Sequence, residues 1–362
     1  MIHPIHEKYA KLLVTYCLAV EPGDQVAINL DSPALVMARA VTREVLKAGG
    51  YPVLRLSYPE LPLDLLTLAS EEYFESEPSF ELSEIRQLKA WLRISAPTNT
   101  RMLQGVDKTR VTRLARRHQP VQEYRVQRTR WCGTLFPTAA GAQDAGMDLD
   151  AYERFVYGAM FLFEDDPVAK WLELERNQER LIERLSHASE VHITGPGTDL
   201  RLSVAGRRWI NSAGQRNMPS GEVFTGPLEH SAEGVIAFDV PSSVSGVEVE
   251  GIQLTFKAGK VVAAQAAKGD DLLQAQLNSD DGARYLGELG IGTNPHINIP
   301  TKSILFDEKM AGTIHLALGQ SYPETGGVNR SAIHWDMICD LRRGGRIYLD
   351  GELFQENGLV TP

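Results

Sequence analysis

The chain has 362 residues, of which 37 are lysine or arginine and 47 are aspartate or glutamate, so its formal net charge at pH 7 is -10. Hydrophobic residues make up 43% and charged residues 23%, a balance typical of globular proteins. This composition excludes a disordered acidic chain, a collagen and a small disulfide-stabilised scaffold. The net negative charge also argues against nucleic-acid binding, because phosphate recognition needs an excess of positive charge.

Three widely spaced cysteines, Cys17, Cys132 and Cys339, form no CxxC pair. This pattern predicts reduced thiols in a cytoplasmic protein. The apolar residues 12–20 are too few to span a bilayer, and turn residues follow them where a signal peptide would have a cleavage site. We therefore expect an amphipathic helix there and no membrane partner.

The first half of the chain alternates predicted strands and helices. Strands are predicted at residues 25–30, 52–56, 90–95 and 131–136. Helices are predicted from about Ser32 to Gly49, at 106–118 and at 148–185, the last interrupted at Pro167. A strand, a helix and a strand within about thirty residues indicate a right-handed βαβ unit and a parallel sheet. The turn after the first strand lacks nucleotide-binding glycine patterns, which favours a structural Rossmann-like layer.

Basic residues concentrate in residues 101–130, where nine lysines and arginines face only Asp107 and Glu123. One interpretation is a patch that binds anions or nucleic acid. The other is a solvated helix face, or salt bridges to a partner subunit. The segment lacks the aromatic residues of RNA-binding motifs, which favours the second interpretation.

The second half changes character after residue 186. A hairpin with a longer loop is predicted at 190–204, further strands at 234–240, 251–256 and 261–266, and a helix at 270–278. We therefore predict two domains: an α/β scaffold with a parallel sheet at residues 1–186, and an α+β domain at 187–362 with mainly antiparallel strands that carries the catalytic site.

Metal-type ligands concentrate in this second half. His334 and Asp336 are two residues apart in an apolar run, so on a strand they project from the same face, with Cα atoms about 7 Å apart. His315 lies in another strand-like run, residues 313–318. Either histidine alone is more readily explained as a hydrogen-bonded core residue. Two histidines and an aspartate on neighbouring strands favour a metal site.

Carboxylates supply further candidates. Glu222 and Glu288 lie in apolar, glycine-rich surroundings. Their alternative interpretation is that of loop carboxylates that accept hydrogen bonds from nearby backbone amides. Glu308 precedes His315 by seven residues, and the charged neighbours Asp307 and Lys309 predict a solvated turn there.

These stretches resemble a known family. GEVFTGP, GARYLGELGIGTNP, ILFDEKMAGTIHLALGQSYPETGG and NRSAIHWDMICDL are similar to segments of the thermophilic metallo-aminopeptidases of the aminopeptidase T and aminopeptidase S type. The resemblance spans the whole chain and is specific between Glu222 and Asp340. It implies a pair of divalent metal ions held by Glu222, Glu288, His315, His334 and Asp336. It also implies Glu308 as a further site carboxylate, Tyr322 beside the metals, and a homodimer that encloses the site and admits short peptides.

The chemistry fits such a site. Mixed oxygen and nitrogen ligands suit zinc, cobalt or manganese, and two ions can lower the pKa of a shared water and polarise a peptide carbonyl. One ion or a free carboxylate can anchor the α-amino group of the substrate. Tyr322 can hydrogen-bond the oxyanion and Glu308 can act as general base. The expected function is a metal-dependent aminopeptidase.

Two other functions remain open at this point. His315, His334 and Asp336 alone form the two-histidine, one-carboxylate set of non-haem iron enzymes, and ring-cleaving dioxygenases of similar overall fold use such a set. A mononuclear iron site needs neither Glu222 nor Glu288, so their presence favours the peptidase. A non-catalytic binding or structural protein would require the whole ligand collection to be coincidental.

Overall fold

The computed structural model describes residues 2–244 and 246–362. Its helices are α1 (Pro4–Lys11), α2 (Leu35–Lys47), α3 (Leu61–Leu68), α4 (Glu71–Glu75), α5 (Ser79–Ile85), α6 (Lys108–Arg128), α7 (Ala139–Asp144), α8 (Leu149–Ala159), α9 (Pro167–Ser186), α10 (Asp270–Leu277) and α11 (Ile304–Asp307). Its strands are β1 (Gln25–Asp31), β2 (Tyr51–Ser57), β3 (Ala90–Ser95), β4 (Arg130–Leu135), β5 (Glu190–Gly195), β6 (Thr198–Ser203), β7 (Ile210–Ser212), β8 (Asn217–Met218), β9 (Glu222–Thr225), β10 (Glu233–Phe238), β11 (Ser242–Val244), β12 (Val247–Val249), β13 (Ile252–Lys257), β14 (Lys260–Gln265), β15 (Leu286–Gly292), β16 (Thr313–Gly319), β17 (His334–Asp340), β18 (Arg346–Leu349), β19 (Glu352–Glu356) and β20 (Leu359–Val360).

Contacts within the chain group its residues into two compact units. One unit runs up to Trp171 and includes Gly214–Pro219, and the other comprises Leu172–Ala213 and Ser220–Pro362. This division falls inside α9, ahead of the boundary predicted near Ser186. The domain limits 1–186 and 187–362 stay a prediction about which segments fold independently.

The first unit is built on a parallel sheet with the strand order β2-β1-β3-β4-β8. Every neighbouring pair in it is parallel. Strand β1 is apolar and buried over most of its length, as expected where both faces of a parallel sheet are covered. Helix α2 buries one apolar face, including Met37, Val41 and Val45. The predicted α/β layer is confirmed.

Helix α6 is longer than the predicted 106–118, because it continues past Pro120 to Arg128. A proline inside a helix removes one backbone hydrogen bond and normally kinks or ends it. Here the residues beyond the proline are anchored, since the guanidinium of Arg125 packs over the rings of Trp91 and Trp131 at 4.4 and 4.8 Å. These contacts of Arg125 stabilise the part of α6 beyond Pro120 and offset the backbone hydrogen bond that the proline removes.

The basic segment pairs largely within its own unit. Arg110 and Arg113 bind Glu71, and Arg117 lies 3.0 Å from the carboxylate of Glu81 on α5. Arginines neutralised by neighbouring helices do not form a free anion-binding patch. The structure therefore favours the salt-bridged helix over the anion or nucleic-acid site, with partners inside the chain.

The second unit is built from antiparallel sheets. An eight-stranded sheet has the order β14-β13-β10-β6-β5-β18-β19-β20, a five-stranded sheet the order β17-β16-β15-β9-β7, and β11 pairs with β12. The fold class predicted for the second half is confirmed. The longer loop predicted between β5 and β6 is wrong: Gly195 pairs with Thr198, so Pro196 and Gly197 close the hairpin. Gly197 has a φ of 70°, which that position of a tight turn requires.

One face of the five-stranded sheet packs into the core of this unit, to which the eight-stranded sheet also contributes. Val223, Leu289, Ile291, Leu316 and Met337 come from β9, β15, β16 and β17, and all belong to one cluster of buried apolar side chains. In a β-strand successive side chains point to opposite faces, so the residues between these positions face the other way.

All three cysteines are buried and unbridged, in line with the predicted reduced thiols. Across the described residues we find no helix with the length and apolar character needed to cross a membrane.

Candidate metal centre

The register of the five-stranded sheet brings the five predicted ligands to one face. Glu222 pairs with Gly292, His315 with Gly290, Asp336 with Ala317 and His334 with Gly319. Directly paired residues point to the same side, and Glu288 is two residues from Gly290. The small residues opposite the ligands leave room above the sheet, while the opposite face holds the core.

Two glycines permit this crowding. The imidazole of His315 lies across Gly290, where an added Cβ would come within 2.0 Å of the ring. Gly221, directly before Glu222, has a φ of 116°, and a Cβ there would lie 2.8 Å from the side chain of Asn294. Only glycine fits both positions.

The five side chains form a connected cluster. His315 Nε2 lies 3.2 Å from Glu288 Oε1 and 3.5 Å from Glu222 Oε2. His334 Nε2 lies 3.4 Å from both Glu288 Oε2 and Asp336 Oδ2. Glu288 therefore contacts both histidines, one with each oxygen.

Among the residues that the structure describes, donor atoms within 4.8 Å of one another form three groups: Glu222 with Glu288 and His315; Glu288 with His334 and Asp336; and Glu308 with His315 and Asp336. The first two groups share Glu288 and together contain all five predicted ligands. Three oxygen and nitrogen donors around one point are the usual protein contribution to a catalytic metal site.

The orientation of His334 follows from its second nitrogen. His334 Nδ1 lies 2.8 Å from the backbone oxygen of Gln320. A carbonyl can only accept, so Nδ1 carries a proton, and Nε2 faces the carboxylates, where it can bind a metal ion once its own proton is released. Outer partners of this kind set the tautomer of metal-binding histidines.

A buried glutamine positions the start of strand β9. Gln178 on α9 is fully buried, and its amide donates to the backbone oxygen of Glu222 at 2.8 Å and to Thr293 Oγ1 at 3.0 Å. Gln178 is not among the residues predicted from the sequence. Its spacing from Leu174, Leu181 and Leu185 places Gln178 on the buried face of α9. A polar side chain on that face needs hydrogen-bond partners in the interior, and this spacing was the available signal.

The carboxylates perturb both histidines. Burial by itself lowers the pKa of His315, but Glu288, Glu222 and Asp336 outweigh it and raise that pKa to about 9. In the same way burial opposes protonation of His334, while Asp336 and Glu288 raise its pKa to about 12. This face of the sheet favours bound positive charge.

Several expectations about local structure were wrong. Glu222 and Glu288 are not loop carboxylates: both lie on strands and each is only 5% exposed. Glu308 follows α11 directly, and its neighbours Asp307 and Lys309 are 2% and 0% exposed, so the segment is not a solvated turn. The sequence pattern misled because Lys309 pairs with Glu308, and Asp307 accepts hydrogen bonds from Thr301 and the backbone of Lys302, inside the protein.

Lys309 is the second residue that the sequence analysis missed. Its ammonium donates to Glu308 Oε1 and lies 3.6 Å from Glu222 Oε1. A lysine is almost never fully buried unless it is paired. Its position beside Glu308, in a run that is otherwise apolar, was the available signal.

Tyr322 lies at the mouth of the cluster. Its ring centre is 5.1 Å from that of His334 and 5.5 Å from that of Phe224. Burial of the hydroxyl and the neighbouring carboxylates raise the pKa of Tyr322 well above its usual value. The phenol is therefore a hydrogen-bond donor at this site.

The donor set fits divalent cations. Glu222 Oε2 and Asp336 Oδ1 are buried and make no hydrogen bond within the described parts of the chain. An unpaired buried carboxylate oxygen is costly, and a cation on this face would satisfy both. Oxygen and imidazole ligands suit zinc, cobalt and manganese.

A family model described as thermophilic metalloprotease (M29) matches residues 3–351 of the chain. The chain belongs to this M29 family. Aminopeptidase 2 of Geobacillus stearothermophilus is 31% identical over 92% of this chain and 91% of its own length. Aminopeptidase T of Thermus thermophilus is 29% identical, over 98% of this chain and 96% of its own length.

Solved structures agree with the M29 assignment. Wild-type AmpT from Thermus thermophilus superposes with a TM-score of 0.85 at 26% identity, covering 99% of each chain. A 2,5-dihydroxypyridine dioxygenase from Pseudomonas putida superposes with a TM-score of 0.58 at 17% identity, over 100% of this chain and 98% of that one. This second likeness shows a shared fold alone.

Membership of the M29 family confirms the expected class of enzyme. The chain is a metal-dependent aminopeptidase, a hydrolase of peptide bonds. The dioxygenase considered from His315, His334 and Asp336 is supported by the fold alone, and fold does not determine chemistry.

Proposed function

We propose that the chain removes N-terminal residues from short peptides with two divalent metal ions held by Glu222, Glu288, His315, His334 and Asp336. The observation that carries this proposal is the pair of donor groups that share Glu288 on one face of the sheet. One ion would be held by Glu222, Glu288 and His315, and the other by Glu288, His334 and Asp336. Zinc, cobalt and manganese are the candidate ions.

The charges of the cluster support two ions. Four carboxylates, those of Glu222, Glu288, Glu308 and Asp336, face one buried ammonium, that of Lys309. The excess is three negative charges when all are ionised. A single divalent cation would leave part of this excess uncompensated, and burial of uncompensated charge is unfavourable.

Bound ions of this type supply a water of lowered pKa and a polarised peptide carbonyl. Glu308 is our candidate for the general base that takes the proton of that water. Burial raises the pKa of Glu308 to about 8, although Lys309 opposes the shift. A base with a pKa near the working pH accepts a proton and returns it to the leaving amine most effectively.

Tyr322 is our candidate for stabilising the oxyanion. Its phenol stays protonated because its pKa is raised, and it lies beside His334 at the open end of the cluster. A donor placed where negative charge develops lowers the barrier to acyl transfer.

The substrate side chain has a place beside the metal ligands. A cavity of about 430 Å³ is lined by His334 and Asp336 together with the apolar side chains of Val244, Ile304 and Ile338. Asp336 Oδ1, which makes no hydrogen bond within the described residues, can accept one from the α-ammonium group of a peptide. Lys302 and Asp307 also line this cavity, so it offers the first side chain of a peptide both apolar and charged neighbours.

We further propose that the enzyme works in the cytoplasm as a homodimer. The family resemblance supports the dimer, and three buried, unbridged cysteines support a reducing compartment. Sedimentation at micromolar concentration tests the dimer: a species of twice the 40.1 kDa chain mass is expected, and a monomer would contradict it.

The aminopeptidase assignment is tested with a matched pair of substrates. Leucyl amide should be hydrolysed by the protein loaded with zinc, cobalt or manganese, and its N-acetyl derivative should not. Acetylation removes the ammonium charge and leaves the scissile bond unchanged. Equal hydrolysis of both compounds would contradict recognition of a free N-terminus.

A further inference from the structure

Lys309 is a fully buried cation, and its ammonium faces the carboxylates of the candidate metal centre. Its side chain is 0% exposed. Within the described structure its ammonium contacts Glu308 Oε1 and Glu222 Oε1 and no other acceptor. The backbone of Lys309 is held separately, since its N–H donates to Phe306 and its carbonyl accepts from Asn294. The fold therefore does not need the ammonium to place this segment.

The ammonium of Lys309 gives the two carboxylate oxygens of Glu222 different surroundings. Oε1 faces Lys309 at 3.6 Å, while Oε2 faces His315 Nε2 at 3.5 Å and makes no hydrogen bond within the described residues. A carboxylate with one oxygen facing an ammonium has one oxygen left for a cation. Toward a bound cation, Glu222 would then offer Oε2 more readily than Oε1.

The same ammonium restrains Glu308. Glu308, His315 and Asp336 form a third group of donor atoms close enough to hold an ion. Lys309 hydrogen-bonds Oε1 of Glu308, and a metal ion at this carboxylate would have to compete with that fixed positive charge. Like charges at such short range in a buried site repel strongly.

We propose that Lys309 is a positioning residue that keeps Glu222 a one-oxygen ligand and keeps Glu308 out of the metal coordination. Glu308 is then free to exchange a proton with the reacting water. This inference rests on the proposed dinuclear site. Lys309 would thus determine whether Glu308 acts as the general base or as an additional metal ligand.

The Lys309→Met variant of the full-length protein tests this role. Without the ammonium, both oxygens of Glu222 and the carboxylate of Glu308 become available, and a repelling charge is lost. We expect the variant to bind cobalt about tenfold more tightly or better in calorimetry, with a changed visible absorption spectrum that reports altered coordination. We expect kcat on leucyl amide to fall at least about tenfold. Lys257→Met, at an exposed lysine on β13, should change none of these quantities.

A merely structural role for Lys309 predicts the opposite sign. Metal binding would then weaken or stay unchanged, because a disordered site binds cations less well, and either result would overturn the proposal. Cobalt bound by the wild-type protein is measured alongside. If the wild-type protein binds no cobalt, the dinuclear site itself is wrong and the failure does not lie with Lys309.

Glu308→Gln gives an independent test if Lys309→Met does not fold. The amide keeps the shape of the side chain and still accepts a hydrogen bond from Lys309. Because Glu308 is proposed not to be a ligand, the number of bound cobalt ions and their spectrum should match the wild type while kcat falls. A lower cobalt content or a shifted spectrum would place Glu308 in the coordination sphere and overturn the proposal.

Discussion

Glu288 is the residue on which the two proposed ion sites depend. Its two oxygens lie near different histidines, His315 at 3.2 Å and His334 at 3.4 Å. Burial raises its pKa, but the histidines outweigh burial and hold the pKa of Glu288 below its usual value. Glu288 is therefore ionised, and it lies between the two groups of donor atoms that we propose bind metal ions.

Replacing Glu288 with glutamine should impair both proposed ion sites. The variant should retain less than one ion per chain after dialysis and lose more than about a hundredfold of kcat/KM, because removal of a bridging ligand costs more than loss of an outer partner. Asp336→Asn, by contrast, should leave the ion held by Glu222, Glu288 and His315. Metal analysis by emission spectroscopy measures the bound ions in both variants. Glu352→Gln, at an exposed residue of β19, is the control. Full metal content in Glu288→Gln would contradict the shared ligand.

Metal binding should strengthen as the pH rises. The carboxylates raise the pKa of His315 to about 9 and that of His334 to about 12, so in the metal-free protein both histidines hold protons at neutral pH. An ion must displace those protons, and its apparent affinity therefore rises with pH. Titration calorimetry in buffers of different ionisation enthalpy should detect proton release at pH 7. An affinity that is the same at pH 6 and pH 8 would contradict this account.

Strands β15, β16 and β17 show how much of the site the sequence predicts. The two-residue spacing of His334 and Asp336 places both on one face of β17, and the apolar run around His315 predicts β16. Glu288 could not be placed on a strand, because glycines surround it and glycine usually indicates turns. The structure shows the reason: Gly290 makes room for the ring of His315, and Gly287 and Gly292 lie directly against neighbouring backbone.

Gly290→Ala tests this requirement for space. An added methyl group would lie 2.0 Å from the imidazole of His315, so the ring or the strand must move. We expect the free energy of unfolding to fall by about 1–3 kcal/mol and cobalt binding to weaken, as measured by urea denaturation and calorimetry. Gly195→Ala on β5, where the methyl group would meet only an ordinary contact at 3.5 Å, is the matched control. Unchanged metal binding in Gly290→Ala would show that the close approach is not needed.

At the scale of the whole chain, the parallel and the antiparallel sheets follow from sequence patterns that differ between the two halves. The alternation of strands and helices predicts the first sheet, and short strands separated by turns predict the second. The buried ion pair of Lys309 and Glu308 could not be predicted, because charged residues usually lie on the surface. Only the fold brings the two residues beside Glu222. Part of the net charge of -10 therefore lies in a buried site.

We propose that catalysis needs two divalent ions per chain. The most direct measurement is titration of the chelated protein with zinc, cobalt or manganese, following hydrolysis of leucyl amide and bound metal in the same samples. We predict that activity reaches its maximum at two bound ions per chain and is abolished by renewed chelation. Full activity at one ion per chain, or activity that survives complete removal of metal, would contradict the account.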